Sequence, residues 1–159
     1  MGSRLSTEKA YIAGFLDGDG SIMLQIKKRN DTKRGLRFMA TMCFYQDTRH
    51  EEPLFWIRET LGIGYISRRN DSMTELRING FSQVRSILLD LQPYIKFKRI
   101  QTEAILKACK LLEEKKLDKL SNKQLHELVS LILIIQNENY VTKRKRTRKE
   151  LLHVLNLTP

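Results

Sequence analysis

Two stretches of the chain alternate between apolar and more polar residues. They are SIMLQIKKR, residues 21–29, and LRFMATMCFYQ, residues 36–46. Alternation with a period of two is typical of strands that bury one face and expose the other. The first fifty residues are therefore predicted to contain two half-buried strands.

Helical patterns and two shorter strands complete the first hundred residues. A first helix is predicted from a cap at Ser6 or Thr7 to Gly18 and Gly20. A second starts near Pro53, and a third is capped by Ser82. The shorter strands are GYISRR and MTELRIN. The predicted order is α-β-β-α-β-β-α, which is an α+β fold.

The remaining residues are predicted to be helical. The stretch SNKQLHELVSLILIIQN opens with a capping box formed by Ser121 and Gln124, and a basic run follows from Lys143 to Lys149. No stretch is rich enough in Pro, Gly or Ser to divide the chain. We expect one domain over residues 1–159, with a core of about 7–97 and a helical C-terminal extension of about 98–159.

The charge of the chain indicates its class of partner. Lys and Arg number 29 against 18 Asp and Glu, a formal charge of +11, which favours a polyanion such as nucleic acid. The apolar run Leu128–Ile135 is too short to span a membrane. Without a signal-peptide pattern, and with Cys43 and Cys109 read as reduced thiols, the protein is predicted to be intracellular and without zinc.

The outward residues of the four strands form a predicted nucleic-acid interface. Arg, Gln and Glu are side chains that read base edges, and an antiparallel ribbon fits the major groove of DNA. Surplus basic residues supply contacts with phosphates. The predicted interface consists of Gln25, Lys27, Arg29, Arg37, Thr41, Tyr45, Ser67, Arg69, Glu75 and Arg77.

The first predicted helix ends in two acids, Asp17 and Asp19, within a run of glycines. One interpretation is a buried helix with a polar, glycine-rich stop. The other is a metal site, because a carboxylate at a helix C-terminus needs a cation nearby and oxygen ligands suit Mg²⁺. The small residues Ala13 and Gly14 favour close approach of a second helix.

The stretch YIAGFLDGDGSI resembles the signature of the LAGLIDADG homing endonucleases. Three further segments, FYQDT, LGIGYI and LQPYIKFKRIQ, resemble family segments in the same order, so that the resemblance covers roughly residues 8 to 110. It implies the family fold, an αββαββα arrangement with an antiparallel, saddle-shaped sheet, here followed by C-terminal helices.

The resemblance also implies roles for particular residues. Asp19 and the carbonyl of Gly18 match the ligands of the catalytic metal, expected to be Mg²⁺, with Mn²⁺ or Ca²⁺ able to occupy the site. Gln46 matches a residue that organises water near the metal, and Lys98 matches a basic residue at the phosphate. Asp17 matches the first, structural acid. Either Arg49 or His50 matches a further basic position.

Because the motif occurs once, the resemblance implies a homodimer whose motif helices meet through Ala13, Gly14 and Asp17. Such a dimer would bind a long pseudo-palindromic site in double-stranded DNA and hydrolyse a phosphodiester bond on each strand. Two alternatives remain open on the same fold. One is an RNA-binding maturase that assists intron splicing, and the other is a DNA-binding module that does not cut.

Overall fold

Helices alternate with pairs of strands along the chain. The computed structural model describes residues 5–140 and 142–158. The strands are β1 (Gly20–Lys28), β2 (Leu36–Asp47), β3 (Tyr65–Arg68) and β4 (Met73–Asn79), and the helices are α1 (Ser6–Asp19), α2 (Glu52–Leu61), α3 (Phe81–Leu91), α4 (Arg99–Glu114), α5 (Asn122–Glu138) and α6 (Arg148–Val154). This order confirms the predicted α-β-β-α-β-β-α arrangement.

The four strands form one antiparallel sheet in the order β1-β2-β4-β3. The two alternating stretches pair as a long hairpin, from Gly20 opposite Phe44 to Lys28 opposite Leu36. Because side chains alternate across a strand, this register directs one set of apolar residues to the same face: Ile22, Leu24, Ile26, Phe38, Ala40, Met42 and Phe44. The sheet therefore has one apolar face and one polar face, as the sequence predicts.

The apolar face of the sheet is covered by helices. Ile22, Met42 and Phe44 are fully buried, and Leu16 of α1 belongs to the same hydrophobic cluster. The cluster continues into α4, α5 and α6. Each large apolar side chain buried in this way stabilises the fold by about 1.5–3 kcal/mol relative to its exposed state.

Two helices begin at different residues from those predicted. Ser6 lies inside α1, which Leu5 precedes, and Ser82 lies inside α3. The turn between β4 and α3 is formed by the backbone of Gly80, which has a φ of 114°. The Gly80 N–H donates to the Ala40 carbonyl of β2 at 3.1 Å. A positive φ favours glycine, so the strand turns directly into the helix without a capping side chain.

The prediction for α5 is confirmed. Gln124 N–H donates to the Ser121 hydroxyl at 3.2 Å, and Ser121 N–H donates to Gln124 Oε1 at 3.0 Å.

Cys43 and Cys109 are free and buried. Among residues 5–140 and 142–158, no helix combines the length and apolar character that a membrane span requires.

Candidate active site and nucleic-acid interface

Asp17 joins the end of α1 to the start of α4. Its side chain is 8% exposed, and its carboxylate accepts backbone N–H bonds from Lys96 at 2.6 Å, Phe97 at 3.2 Å and Lys98 at 3.0 Å. These donors precede the first turn of α4, where N–H groups lack partners within the helix. Asp17 therefore acts as a cap supplied by a neighbouring helix.

Asp19, two residues further on, has the opposite surroundings. It is exposed, and its carboxylate makes no hydrogen bond or ion pair with any residue in 5–140 or 142–158. It lies at the C-terminus of α1, where the helix dipole adds negative potential. A carboxylate in this position favours a bound cation, and the exposed Gly18 beside it offers a carbonyl oxygen.

The described residues contain no group of three His, Cys, Asp or Glu side chains placed to hold a metal ion. Asp19 and the Gly18 carbonyl are candidate donors, and together they would fill only part of the coordination of a cation. Mg²⁺ keeps several waters and shares its remaining positions with substrate phosphates, so the donors present fit that ion.

Lys98 and Asp19 line the same cleft. The cleft has a volume of about 440 Å³, and Gly18, Arg69 and Gln101 also line it. Lys98 is buried, and its Nζ donates to the Asp17 carbonyl at 2.7 Å. Burial lowers the pKa of Lys98, while the carboxylates of Asp17 and Asp19 oppose that shift.

Three other predicted site residues do not line the cleft in the described part of the chain: Gln46, Arg49 and His50. Gln46 Oε1 accepts the N–H of Asp47 at 2.9 Å. Arg49 is paired with Asp47 through Nε at 3.0 Å and a terminal nitrogen at 2.9 Å, and His50 is exposed.

The strand register places the predicted interface residues on one face. Lys27 lies opposite Arg37, Tyr45 opposite Glu75, and Ser67 opposite Glu75 from the other side. Gln25, Thr41 and Arg77 share this face, while Arg29 and Arg69 follow the ends of β1 and β3. The sheet thus presents these polar side chains on one surface, together with Met23, Met39 and Cys43, and we call this surface the outer face.

Two predicted members of the outer face are covered by their neighbours. Thr41 is buried, and its hydroxyl bonds to Asn79 Oδ1 at 2.7 Å. Glu75 is buried and accepts from Arg77 Nε at 3.1 Å. In the isolated chain these two side chains orient neighbouring groups, and the exposed basic residues, such as Lys27 and Arg37, face solvent.

Two of the three residues predicted to form the contact between motif helices are buried within the protomer. Ala13 is 0% exposed within the protomer and Asp17 bonds to the α4 segment, so neither side chain is available to a partner. Gly14 is exposed, and a Cβ added there would meet no atom within 4 Å. Helical geometry places Ala10 and Tyr11 on the same exposed side of α1 as Gly14.

Sequence reasoning missed Gln101 and the hydroxyl pair of Ser21 and Tyr45. The two hydroxyls lie 3.0 Å apart and line the cleft, and burial raises the pKa of Tyr45 to about 12. The register of β1 and β2 predicts that Ser21 and Tyr45 share a face. The helical spacing of Gln101 from Lys98 was a second available signal, because residues three apart lie on one side of a helix.

Comparison with known proteins identifies the class. Residues 12–111 match the sequence profile of the LAGLIDADG endonuclease family. The chain belongs to this family.

Two curated relatives are similar over the same part of the chain. The DNA endonuclease I-CvuI of Chlorella vulgaris is 34% identical over 107 residues, which cover 67% of this chain and 66% of that protein. The DNA endonuclease I-CreI of Chlamydomonas reinhardtii is 32% identical over 106 residues, which cover 67% of this chain and 64% of that protein. The aligned segment spans just under two thirds of either relative.

The fold is similar over almost the whole chain to a solved homing endonuclease. The crystal structure of I-CvuI in complex with its target, in the presence of Ca, superposes with a TM-score of 0.82. The alignment covers 96% of this chain and 97% of that chain at 28% identity.

Proposed function

We propose that this protein is a homing endonuclease, a site-specific enzyme that binds double-stranded DNA as a homodimer and hydrolyses a phosphodiester bond on each strand. The observation that carries the proposal is the contrast between the two acids of the motif. Asp17 is fixed by three N–H groups, whereas Asp19 is exposed, lines a cleft with Lys98 and has no partner in the part of the chain that the structure describes. The relatives, named DNA endonucleases, support the same reaction.

The outer face is the proposed surface for DNA. Its exposed residues are mainly cationic, and the chain has a net charge of +11. A groove along β1 is lined by Gln25 and Lys27 on one side and by Arg144 and Arg146 on the other. The basic run thus extends the cationic surface beyond the sheet, where it can contact phosphates.

Asp19 and the Gly18 carbonyl are the groups that would hold a divalent cation, with Mg²⁺ as the physiological ion and Mn²⁺ or Ca²⁺ as substitutes. When bound, such an ion stabilises charge on a phosphate and lowers the pKa of a bound water. Lys98 supplies positive charge to the same cleft. Gln46 retains a proposed role in ordering water, although its amide bonds to its own neighbour in the free chain.

Pairing of two chains would complete the site. The exposed side of α1 offers a glycine without neighbours, flanked by Tyr11, and Phe97 at the Asp17 cap is 85% exposed. Apolar residues exposed around small ones favour helix-to-helix contact. Contact through Gly14 would bring two copies of Asp19 towards one duplex, which matches a two-fold symmetric DNA site.

The proposal is tested by cleavage of a partly palindromic duplex library with Mg²⁺, followed by sequencing of the cut ends. Wild-type protein should yield one cut motif with symmetric half-sites. Asp19→Asn should enrich the same DNA without cutting it. Glu127→Gln, which alters an exposed carboxylate of α5 outside the cleft, should cut normally.

Cutting by Asp19→Asn at the wild-type rate would contradict the assignment of Asp19. Enrichment of DNA without cutting by the wild-type protein would support a binding module, and binding only to intron RNA would support a maturase.

A further inference from the structure

Gln101 carries a buried amide for which the described chain supplies no partner. The residue is 5% exposed, its Oε1 is fully covered, and neither end of the amide makes a hydrogen bond within residues 5–140 and 142–158. A buried polar group without a partner destabilises a fold. Such a group in a native fold therefore calls for an explanation.

The start of α4 explains why Gln101 lacks its usual partner. Gln101 is the third residue after the N-cap, Lys98, a position from which a Gln or Glu side chain accepts the N–H of the N-cap residue. Here Asp17 of α1 has taken the Lys98 N–H at 3.0 Å. The Lys98 N–H is therefore already bonded, and the Gln101 side chain does not accept it.

The other two C-terminal helices show the usual arrangement. In α5, Gln124 Oε1 accepts the Ser121 N–H at 3.0 Å. In α6, Glu150 Oε2 accepts the Thr147 N–H at 2.6 Å. Gln101 has the same residue type and position as Gln124, but the N-cap of α4 is Lys98, which has no capping hydroxyl and whose N–H is bonded to Asp17.

The Gln101 side chain lies at the cleft that holds the proposed active site. Gln101, Lys98 and Asp19 all line it. Water both donates and accepts, so it can satisfy an amide in either orientation of the oxygen and nitrogen. Buried waters in proteins typically bond to polar groups of this kind.

We propose that Gln101 is a positioning residue of the active site, whose amide holds a water molecule in the cleft between Lys98 and Asp19. The inference rests on the proposed endonuclease function. The water held by Gln101 would belong to the solvent around the cation and the attacked phosphate, and groups that orient such solvent typically contribute a factor of about 10–100 to affinity or activity.

Gln101→Met tests the inference, because Met has a similar length without the amide. Thr102→Val is a matched control, since Thr102 is 1% exposed with an unpartnered hydroxyl but does not line the cleft. The duplex recovered from the library serves as substrate. Three quantities are measured: the single-turnover rate with Mg²⁺, the calorimetric affinity of Ca²⁺ for the protein–DNA complex, and the melting temperature.

Gln101→Met should reduce the cleavage rate by about 10–100-fold and weaken Ca²⁺ binding. Its melting temperature should not fall, because no side chain or backbone group among residues 5–140 and 142–158 bonds to the Gln101 amide. Thr102→Val should match the wild type in rate and Ca²⁺ affinity.

The inference alone is overturned if the wild type cuts and Gln101→Met cuts equally well. It is also overturned if both variants lose activity together with melting temperature, because that result indicates a structural role. A wild-type protein that neither cuts nor takes up Ca²⁺ on DNA would instead refute the proposed function, and the inference with it.

Discussion

The two acids of the motif show how much local surroundings decide the role of a residue. Asp17 and Asp19 have the same side chain and are two residues apart, yet one is buried and the other is exposed. Since a helix turns 100° per residue, the two side chains point in different directions. Asp17 points to the N–H groups before α4, and Asp19 points to solvent in the cleft.

Replacing Asp17 by Asn should destabilise the protein by about 2–3 kcal/mol, because hydrogen bonds to a charged acceptor are the strong ones. An Asn amide keeps one oxygen and loses the second acceptor that serves Lys96 and Phe97. Urea denaturation measures the change in unfolding free energy. Asp118→Asn, which alters an exposed carboxylate, is the control, and equal midpoints for the two variants would contradict a capping role.

The pairing of Arg49 with Asp47 predicts a pH effect. The hydrogen bonds from Arg49 lower the pKa of Asp47 to about 2, from an ordinary value of 3.8. The pair therefore stabilises the fold above that ordinary value, and this contribution is lost as the pH falls through about 2. In an NMR titration, Arg49→Ala should move the Asp47 midpoint up towards 3.8. An unchanged midpoint would show that the pair does not form in solution.

At the scale of elements, α1 has two faces with different tasks. Ile12, Ala13 and Leu16 are fully buried against the sheet, while Ala10 and Gly14 face solvent. A glycine inside an exposed helical face costs about 1 kcal/mol relative to alanine. We propose that close approach of a second chain at Gly14 compensates for this destabilisation.

Gly14→Leu should block pairing through the exposed face of α1 and leave its buried face unchanged. A Cβ added at Gly14 meets no atom within 4 Å in the protomer, so the fold of the protomer should be retained, which circular dichroism would check. The leucine side chain should block contact between two α1 helices and give a monomer in sedimentation velocity. Lys107→Leu, on the exposed side of α4, is the control. A dimer of normal affinity for Gly14→Leu would exclude α1 as the interface.

Sequence reasoning predicted the elements better than their contacts. The period-two patterns of β1 and β2 specify the buried face of the sheet, because a register shifted by one residue would place Ile22 and Phe44 on opposite faces. The roles of Ala13 and Gln101 could not be predicted in the same way. Ala13 and Gly14 are equivalent as small residues, and only the packed fold shows which is buried. The Lys98 N–H near Gln101 is bonded to Asp17, which is distant in sequence.

At the scale of the whole molecule, the outer face makes DNA binding dependent on salt. Each phosphate contact contributes about −0.9 to the slope of log K against log salt concentration. Replacing both Lys27 and Arg37 by Ala should therefore make the slope shallower by about 2 if each contacts one phosphate. Fluorescence anisotropy on the recovered duplex measures the slope. Ala at Lys107 and Lys110, which are exposed on α4, should leave it unchanged, and equal slopes for the two double variants would contradict the proposed surface.

The proposed reaction requires that two chains act on one duplex, because the donors proposed in one chain, Asp19 and the Gly18 carbonyl, fill only part of the coordination of a cation. Native mass spectrometry of the complex with the recovered duplex, prepared in Ca²⁺ to prevent turnover, measures this directly. We predict two chains and one duplex, with the same cut position on each half-site after Mg²⁺ is added. One chain per duplex, with cutting retained, would contradict the account.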